Sequence, residues 1–299
     1  MSFRLQREEG IEDGLHRIIG AEFDSIEQGL RALQLNPENH DGAIHDARKH
    51  VKKLRAVCRL YRSELGVDLW RKENDVLGEI GRVFSPARDA EVRVHLLSDL
   101  LQRHPSTKMT HLVHHWEVEC THAVHSVLEQ RHINRVLHTL EAAHCRFELF
   151  PLTASGWEML RDGLRQSYKR ARKGLMTLTQ ETRGEETCWH AWRKRAKVLQ
   201  YQLTLLEHWG KPVEKYLGTL DALTETLGKE HDFEVLAATL TAEQAPGLHT
   251  ANGAKLMKSI ELQRVRLQKK ARALGEELLA QKPGKFLEKL HKSWRRWRE

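Results

Sequence analysis

The feature that most constrains this chain is a basic stretch that occurs twice. Residues 44–62 read IHDARKHVKKLRAVCRLYR, and residues 188–206 read CWHAWRKRAKVLQYQLTLL. At about 100° per residue the first stretch separates into two faces. Ile44, Ala47, Val51, Leu54, Cys58 and Tyr61 form an apolar stripe, while His45, Arg48, Lys49, Lys52, Arg55 and Arg59 run together along the other side. The second stretch separates the same way, with Trp189, Trp192, Ala196, Leu199, Leu203 and Leu206 opposite His190, Arg193, Lys194, Lys197 and Tyr201. Both carry the pattern H-x-x-R-K-x-x-K. Basic heads at i, i+3, i+4 and i+7 share one helical face and climb about 5.4 Å per turn, which makes a cationic ladder suited to a regularly spaced polyanion.

A charge run on an amphipathic helix is ordinarily a solvated face. Soluble helices, however, mix signs, because opposite charges at i, i+4 support each other and like charges repel. Asp46 is the only acid within residues 44–62, and the arrangement recurs later in the chain. An anion facing the ladders accounts for both facts.

A length of 299 residues suits two modules of ordinary domain size. No apolar run approaches the roughly 20 residues of a membrane span, and the opening MSFRLQREEGIEDG lacks the apolar core of a signal peptide. A cytoplasmic protein with no membrane association is the expectation. Cys58, Cys120, Cys145 and Cys188 sit in helical patterns without a CxxC pair, which reads as buried free thiols and not as disulfides or a zinc site. The net charge of +8 favours an anionic partner without identifying it.

Gly and Pro are sparse, every long segment has a period near 3.6, and alternating β runs are missing, so the chain reads as all-α. Helices are expected at 11–33, from 44 to near Gly66, and at 70–84. The next runs from Ser85 as N-cap, with Pro86 at the first helical position, to 103. A long helical region follows from 106 to 150, with a break near Asn134. After a joint at 151–155 come 157–180, 187–208, 213–227, 229–241, 251–282 and 285–298, with loops at 35–40 and 245–247.

The repeat extends beyond the ladders. His45, Arg48, Lys49, Lys52 and Leu54 stand opposite His190, Arg193, Lys194, Lys197 and Leu199. After a two-residue change in spacing, Leu77, Ile80, Asp89, Val92 and Leu97 stand opposite Leu220, Leu223, Asp232, Val235 and Leu240. Earlier, Asp13-Gly14-Leu15 faces Asp162-Gly163-Leu164. Duplication is the simplest account, giving pseudo-symmetric bundles over 1–150 and 151–299. If equivalent faces meet, the ladders line one shared basic channel.

On these residues the sequence resembles the CHAD family, histidine-containing α-helical domains that bind inorganic polyphosphate. The resemblance rests on HDARKHVKKLR and HAWRKRAKVLQY, on LGEIGRVFSPARDAEV and LDALTETLGKEHDFEV, and on LRQSYKRARKGL at 164–175. It implies two four-helix bundles around a basic central pore. It also implies a non-catalytic protein without cofactor or metal, whose partner is polyphosphate or another polyanion, with granule association and no obligate protein partner. The ligand-facing set carried over is His45, Arg48, Lys49, Lys52, Arg55 and Arg59, then His190, Arg193, Lys194, Lys197 and Tyr201. Arg165, Lys169 and Arg172 join it from the preceding helix. The histidines would donate one N–H each when neutral and add charge if protonated. Asp89 and Asp232 read as residues that orient neighbouring cations. The second ladder departs from the family pattern at Gln200, and Thr204 stands opposite Arg59.

Two other functions compete. A metal-dependent helical phosphohydrolase would use a His-Asp dipeptide such as His40-Asp41, His45-Asp46 or His231-Asp232. The repeat keeps neither of the last two in both halves: Ala191 replaces Asp46 and Arg88 stands opposite His231. The ExExK pattern of triphosphate-tunnel enzymes finds only Glu117, Glu119 and Thr121. The histidines His111, His114, His115, His122, His125 and His132 have helical spacing but no completing carboxylate or cysteine set, so a solvated face is expected. Nucleic-acid binding shares the physics of phosphate neutralisation. Single-strand binders add aromatic platforms, though, and here Trp189 and Trp192 fall on the apolar face, while Leu290, Trp294 and Trp297 form a packing stripe.

Overall fold

The computed structural model describes residues 2–35, 42–150, 154–180 and 185–299, and among these there are helices and no strands. Most of the expected loop at 35–40, most of the joint at 151–155, and His40-Asp41 lie outside the described residues. Helix α1 (Ile11–Leu35) buries Leu15, Ile18, Ile26, Leu30 and Leu33, and this three-and-four spacing makes it amphipathic.

The basic helix α2 (Ala43–Cys58) ends eight residues before Gly66, earlier than the sequence implies. Tyr61 and Leu60 are buried in the turn that follows. The next helix, α3 (Arg62–Val83), starts there and carries a kink where Gly66 takes φ 74°, a left-handed angle that glycine adopts without steric cost. At the start of α4 (Ser85–Arg103) the capping position falls on Phe84, not Ser85. The Ser85 hydroxyl donates to the Gly81 carbonyl at 3.2 Å and accepts from Arg48 Nη1. It serves the basic helix instead of the helix start.

Helices α5 (Thr107–Leu128) and α6 (Gln130–Glu148) separate at Glu129, five residues before the expected break at Asn134. In the second half α7 (Trp157–Gln180) and α8 (Glu185–Thr204) are followed by a 3-10 turn at Glu207–Trp209. One continuous α9 (Lys211–Ala242) replaces the two helices expected on either side of Gly228. A single interior glycine costs about 1 kcal/mol, and burial of Leu220, Leu223, Leu227, Leu236 and Leu240 along the same helix outweighs it. Helices α10 (Ala251–Leu279) and α11 (Pro283–Arg298) close the chain.

Helix α1 packs on α2 and α6, and α2 on α3; α7 packs on α8 and α11, and α8 on α9. Across these groups α2 packs on α8 and α4 on α9. The main core draws on both groups, with Leu15, Leu54, Leu160, Trp192, Leu203 and Leu220 in one cluster. A second core joins Leu97, Met109 and Trp116 from α4 and α5 to Leu240, Leu256 and Ile260 from α9 and α10. Each core therefore contains residues from both sides of position 150.

Buried acids consume several cations that lie off the ladders. Glu22 accepts from His50 at 2.6 Å and Lys53 at 2.9 Å. Glu73, fully buried, holds Arg146 by two bonds of 2.7 and 2.9 Å. Glu230 takes Gln268 at 2.8 Å and Arg264 at 3.3 Å. Removing either partner of such a pair strands a buried charge. Of the four cysteines only Cys58 is buried, and Cys145 is exposed on the outer face of α6, contrary to the expectation that all are interior. Among the described residues no helix is long and apolar enough to cross a membrane.

Candidate functional site

The apolar stripes of α2 and α8 are buried as the wheel requires. Ile44, Val51 and Leu54 of one and Trp189, Trp192, Leu199 and Leu203 of the other enter the main core. Gln202, itself buried, donates from Nε2 to the Ala56 carbonyl at 2.9 Å and ties the two helices together. This contact sets the basic faces in register, and their heads act on one another. Lys52 lies in the field of Arg48, Arg193 and Lys197, and Lys197 in that of Arg193 and Lys49.

The energetic signature is repulsion with little compensation. Lys52 reaches solvent, yet enough protein surrounds it that desolvation, and then its three cationic neighbours, push it down to about 8, with Asp89 opposing. Arg48 and Lys197 are lowered too, chiefly by burial, and Asp89 and Asp221 respectively oppose the shifts. Lys49 makes only a loose pair with Asp46 at 3.8 Å. Among the described residues Arg193, Lys194 and Lys197 have no carboxylate within 4 Å. Arg48 is the most tied of the set, donating to the Gly81 carbonyl at 3.2 Å and to Ser85.

Asp89 on α4 and Asp232 on α9 come together where those helices cross, each in the field of the other. Asp232 is half-buried, and desolvation raises its carboxyl while Arg193, His231 and Arg88 act to lower it. The two acids are counter-charges to the arginines at the head of the ladders. His45 is lowered by burial and by Arg88. His190 is pushed down to about 4, first by burial and then by His231, against whose ring it lies at 4.2 Å. His231 Nδ1 is 2.8 Å from Glu234. His190 is therefore neutral near pH 7, the state in which a histidine at the ladder head offers one N–H and no charge. Among the described residues its Nδ1 is buried without a hydrogen-bond partner.

Farther along, the helices diverge. Arg55 donates to Asn74 at 3.2 Å, and Arg59 lies over Trp70 at 5.4 Å with its Nε buried and, among the described residues, unpartnered. At the matching places on α8, Gln200 donates to Asp221 and accepts from Thr224 at 3.1 Å, while Thr204 returns its hydroxyl to the Gln200 carbonyl. Tyr201 is driven up to about 12 by burial and meets Phe3 edge-on at 6.5 Å. Of the α7 residues, Arg165 and Lys169 are exposed, and Arg172 Nε donates to the Leu279 carbonyl at the end of α10 at 3.1 Å. Arg170, on another face of α7, is the residue within electrostatic reach of Arg59.

Reading the sequence missed Arg88, Arg170 and Ser85. Arg88 had a signal, because it stands opposite His231 in the repeat, and both face the histidine that heads their ladder. Of the histidine-rich segment, His111, His114, His115, His122 and His125 are exposed on α5. Among the described residues no group of three His, Cys, Asp or Glu side chains is placed to hold a metal ion.

Fold and face together define an all-α protein with two adjoining basic helices whose cations are under-compensated by acids. The chain belongs to the CHAD domain family, whose model matches residues 24–241. That family is linked in general to phosphate- and polyphosphate-type ligands. The fold is similar to that of the CHAD domain from the plant Ricinus communis, with a TM-score of 0.63 at 19% identity over 99% of this chain and 96% of that one. It is also similar to PptA from Streptomyces chartreusis, with a TM-score of 0.62 at 14% identity over 96% of this chain and 100% of that one. No curated protein matches the chain.

Proposed function

We propose that the chain binds inorganic polyphosphate in a basic channel between two pseudo-symmetric helical bundles, 1–150 and 151–299, and does so without catalysis. The observation that carries this reading is the meeting of Arg48, Lys49 and Lys52 with Arg193 and Lys197 across the α2–α8 contact. A protein that holds so many like charges together forgoes stability in the free state, and a polyanion offsets the repulsion. Arginine forks onto two phosphate oxygens and lysine supplies a mobile point charge, so the mixed ladder suits a slim chain of repeating phosphates. Equivalent packing of α1, α2 and α3 on one side and α7, α8 and α9 on the other supports the duplication. Polyphosphate in the cytoplasm, free or in granules, is the natural partner on this reading.

The test is a competition titration of the whole chain against labelled long-chain polyphosphate, with single-stranded RNA, DNA and short phosphates as competitors at physiological salt. Far tighter binding of polyphosphate than of nucleic acid of equal charge is the expected result. Equal competition by RNA would sink the channel and leave a general cationic surface.

A further inference from the structure

On the far side of the second half lies a cavity that the ladders do not touch. Its volume is about 410 Å³, and its walls come from the first turns of α9, the end of α10 with the turn after it, and one face of α11. None of its residues belongs to α2, α4, α7 or α8. Four cations surround it: Lys215 from α9 and Lys289, Lys292 and Arg296 from α11. The last three are spaced i, i+3 and i+7, so they share a helical face. Lys292 is paired with Glu288 at 2.7 Å. Among the described residues Lys215, Lys289 and Arg296 have no carboxylate within 4 Å. Glu277 is the one acid in the wall.

The rest of the lining includes the apolar side chains of Pro212 and Leu278 and the ring of Tyr216. The surroundings are rigid. Tyr216 packs edge-on to Phe286 at 5.3 Å, Phe286 stacks on Tyr168 at 4.1 Å, and the Tyr168 hydroxyl holds the Gln281 carbonyl at 3.0 Å. The Arg172 bond to Leu279 O and the Tyr168 bonds to Leu278 O and Gln281 O satisfy carbonyls at the end of α10. They thereby reduce the partial negative charge that a helix C-terminus would present to an anion there.

We propose that this cavity is a second binding site, separate from the ladders, for a small phosphate ester of a sugar or nucleoside. The phosphate oxygens engage Lys215, Lys289 and Arg296. The organic part lies against Pro212, Leu278 and the Tyr216 ring. Inorganic phosphate satisfies the cations but does not fill about 410 Å³. Bare polyphosphate offers no apolar or ring surface to set against Pro212, Leu278 and Tyr216.

Calorimetry of the full chain with AMP, glucose 6-phosphate, adenosine and inorganic phosphate tests this. One of the two esters should bind at one equivalent, about tenfold or more tightly than phosphate or adenosine, and which ester wins tells nucleoside from sugar. Lys289→Glu with Arg296→Glu should weaken that ester about tenfold or more while leaving polyphosphate binding intact. Failure of both esters to bind in the millimolar range overturns the proposal. So does inorganic phosphate binding as tightly as the better ester, or loss of ester binding on reversing Lys49 and Lys194 with no loss on reversing Lys289 and Arg296.

Discussion

The faces of α2 and α8 begin alike and end differently. At their heads each carries a histidine, an arginine and two lysines, and each histidine is faced by the residue before a conserved position of the repeat, Arg88 for His45 and His231 for His190. One turn on, α2 continues with Arg55 and Arg59 over Asn74 and Trp70. Helix α8 instead closes its own polar groups through Gln200, Asp221, Thr224 and Thr204. On α2 Arg59 lies over Trp70 with Arg170 within electrostatic reach, whereas on α8 a network of Gln200, Thr204, Thr224 and the Asp221 carboxylate ends the run. The head of the site is symmetric in charge and its tail is not.

Breaking the symmetric part should have the largest effect. Lys49→Glu with Lys194→Glu changes one exposed residue on each ladder, and if each charge-assisted contact contributes about 1.5–3 kcal/mol the pair should weaken polyphosphate binding at least ~100-fold. Circular dichroism should show unchanged helicity. Retained affinity would mean that the ladders are ordinary surface.

Structural equivalents can be compared in the same way. Gly14 and Gly163 occupy matching places in the two halves, but a Cβ at Gly14 would meet side-chain ends, Glu9 Oε1 at 2.5 Å and Leu5 Cδ2 at 2.6 Å, whereas at Gly163 it would meet the backbone Cα of Leu60 at 2.6 Å. Backbone cannot step aside as a side chain does. Gly163→Ala should destabilise by about 1–3 kcal/mol in denaturant titration and Gly14→Ala by clearly less.

The asymmetric tail is sharpened by exchange. Replacing Arg55 and Arg59 with Gln and Thr makes α2 resemble α8. Two lost phosphate contacts should reduce the salt slope of polyphosphate binding by roughly 1.5. The reciprocal Gln200→Arg with Thr204→Arg should steepen it, unless the Asp221 carboxylate neutralises the new charge. A slope unmoved by either exchange would place the ligand at the ladder heads alone.

The smallest effect is in pH. Lys52 is lowered from 10.5 to about 8 in the folded protein. Between those values the unfolded chain binds more protons than the folded one, so this residue makes the free protein more stable as pH rises through the window. Below about pH 8 the charged lysine opposes folding, and Lys52→Gln should be the more stable protein. That advantage should shrink as pH is raised toward 10.5. Polyphosphate affinity should move the other way and fall as Lys52 loses its proton, which separates a ligand-facing lysine from one that is merely crowded.

Much of this was legible in the residues alone. Apolar spacing identified α1, α7 and the two ladder helices, because burial follows the 3.6-residue period wherever a helix packs on one side. The ladder residues were readable for the same reason, because charge placed against helical support is a local pattern, and the family was readable from the resemblance of those segments. Helix ends and the role of Ser85 were not, since they depend on what the neighbouring helix offers. Ser85 accepts from Arg48 because α2 lies alongside, and Gly228 stays helical because leucines on both sides of it are buried. The order of residues is enough to specify an all-α chain with a repeated basic face. Packing between distant helices turns Arg172 to α10, keeps His190 neutral against His231, and draws both cores from either side of position 150. Those outcomes turn on desolvation and on contacts between residues far apart in the chain, which no local pattern encodes.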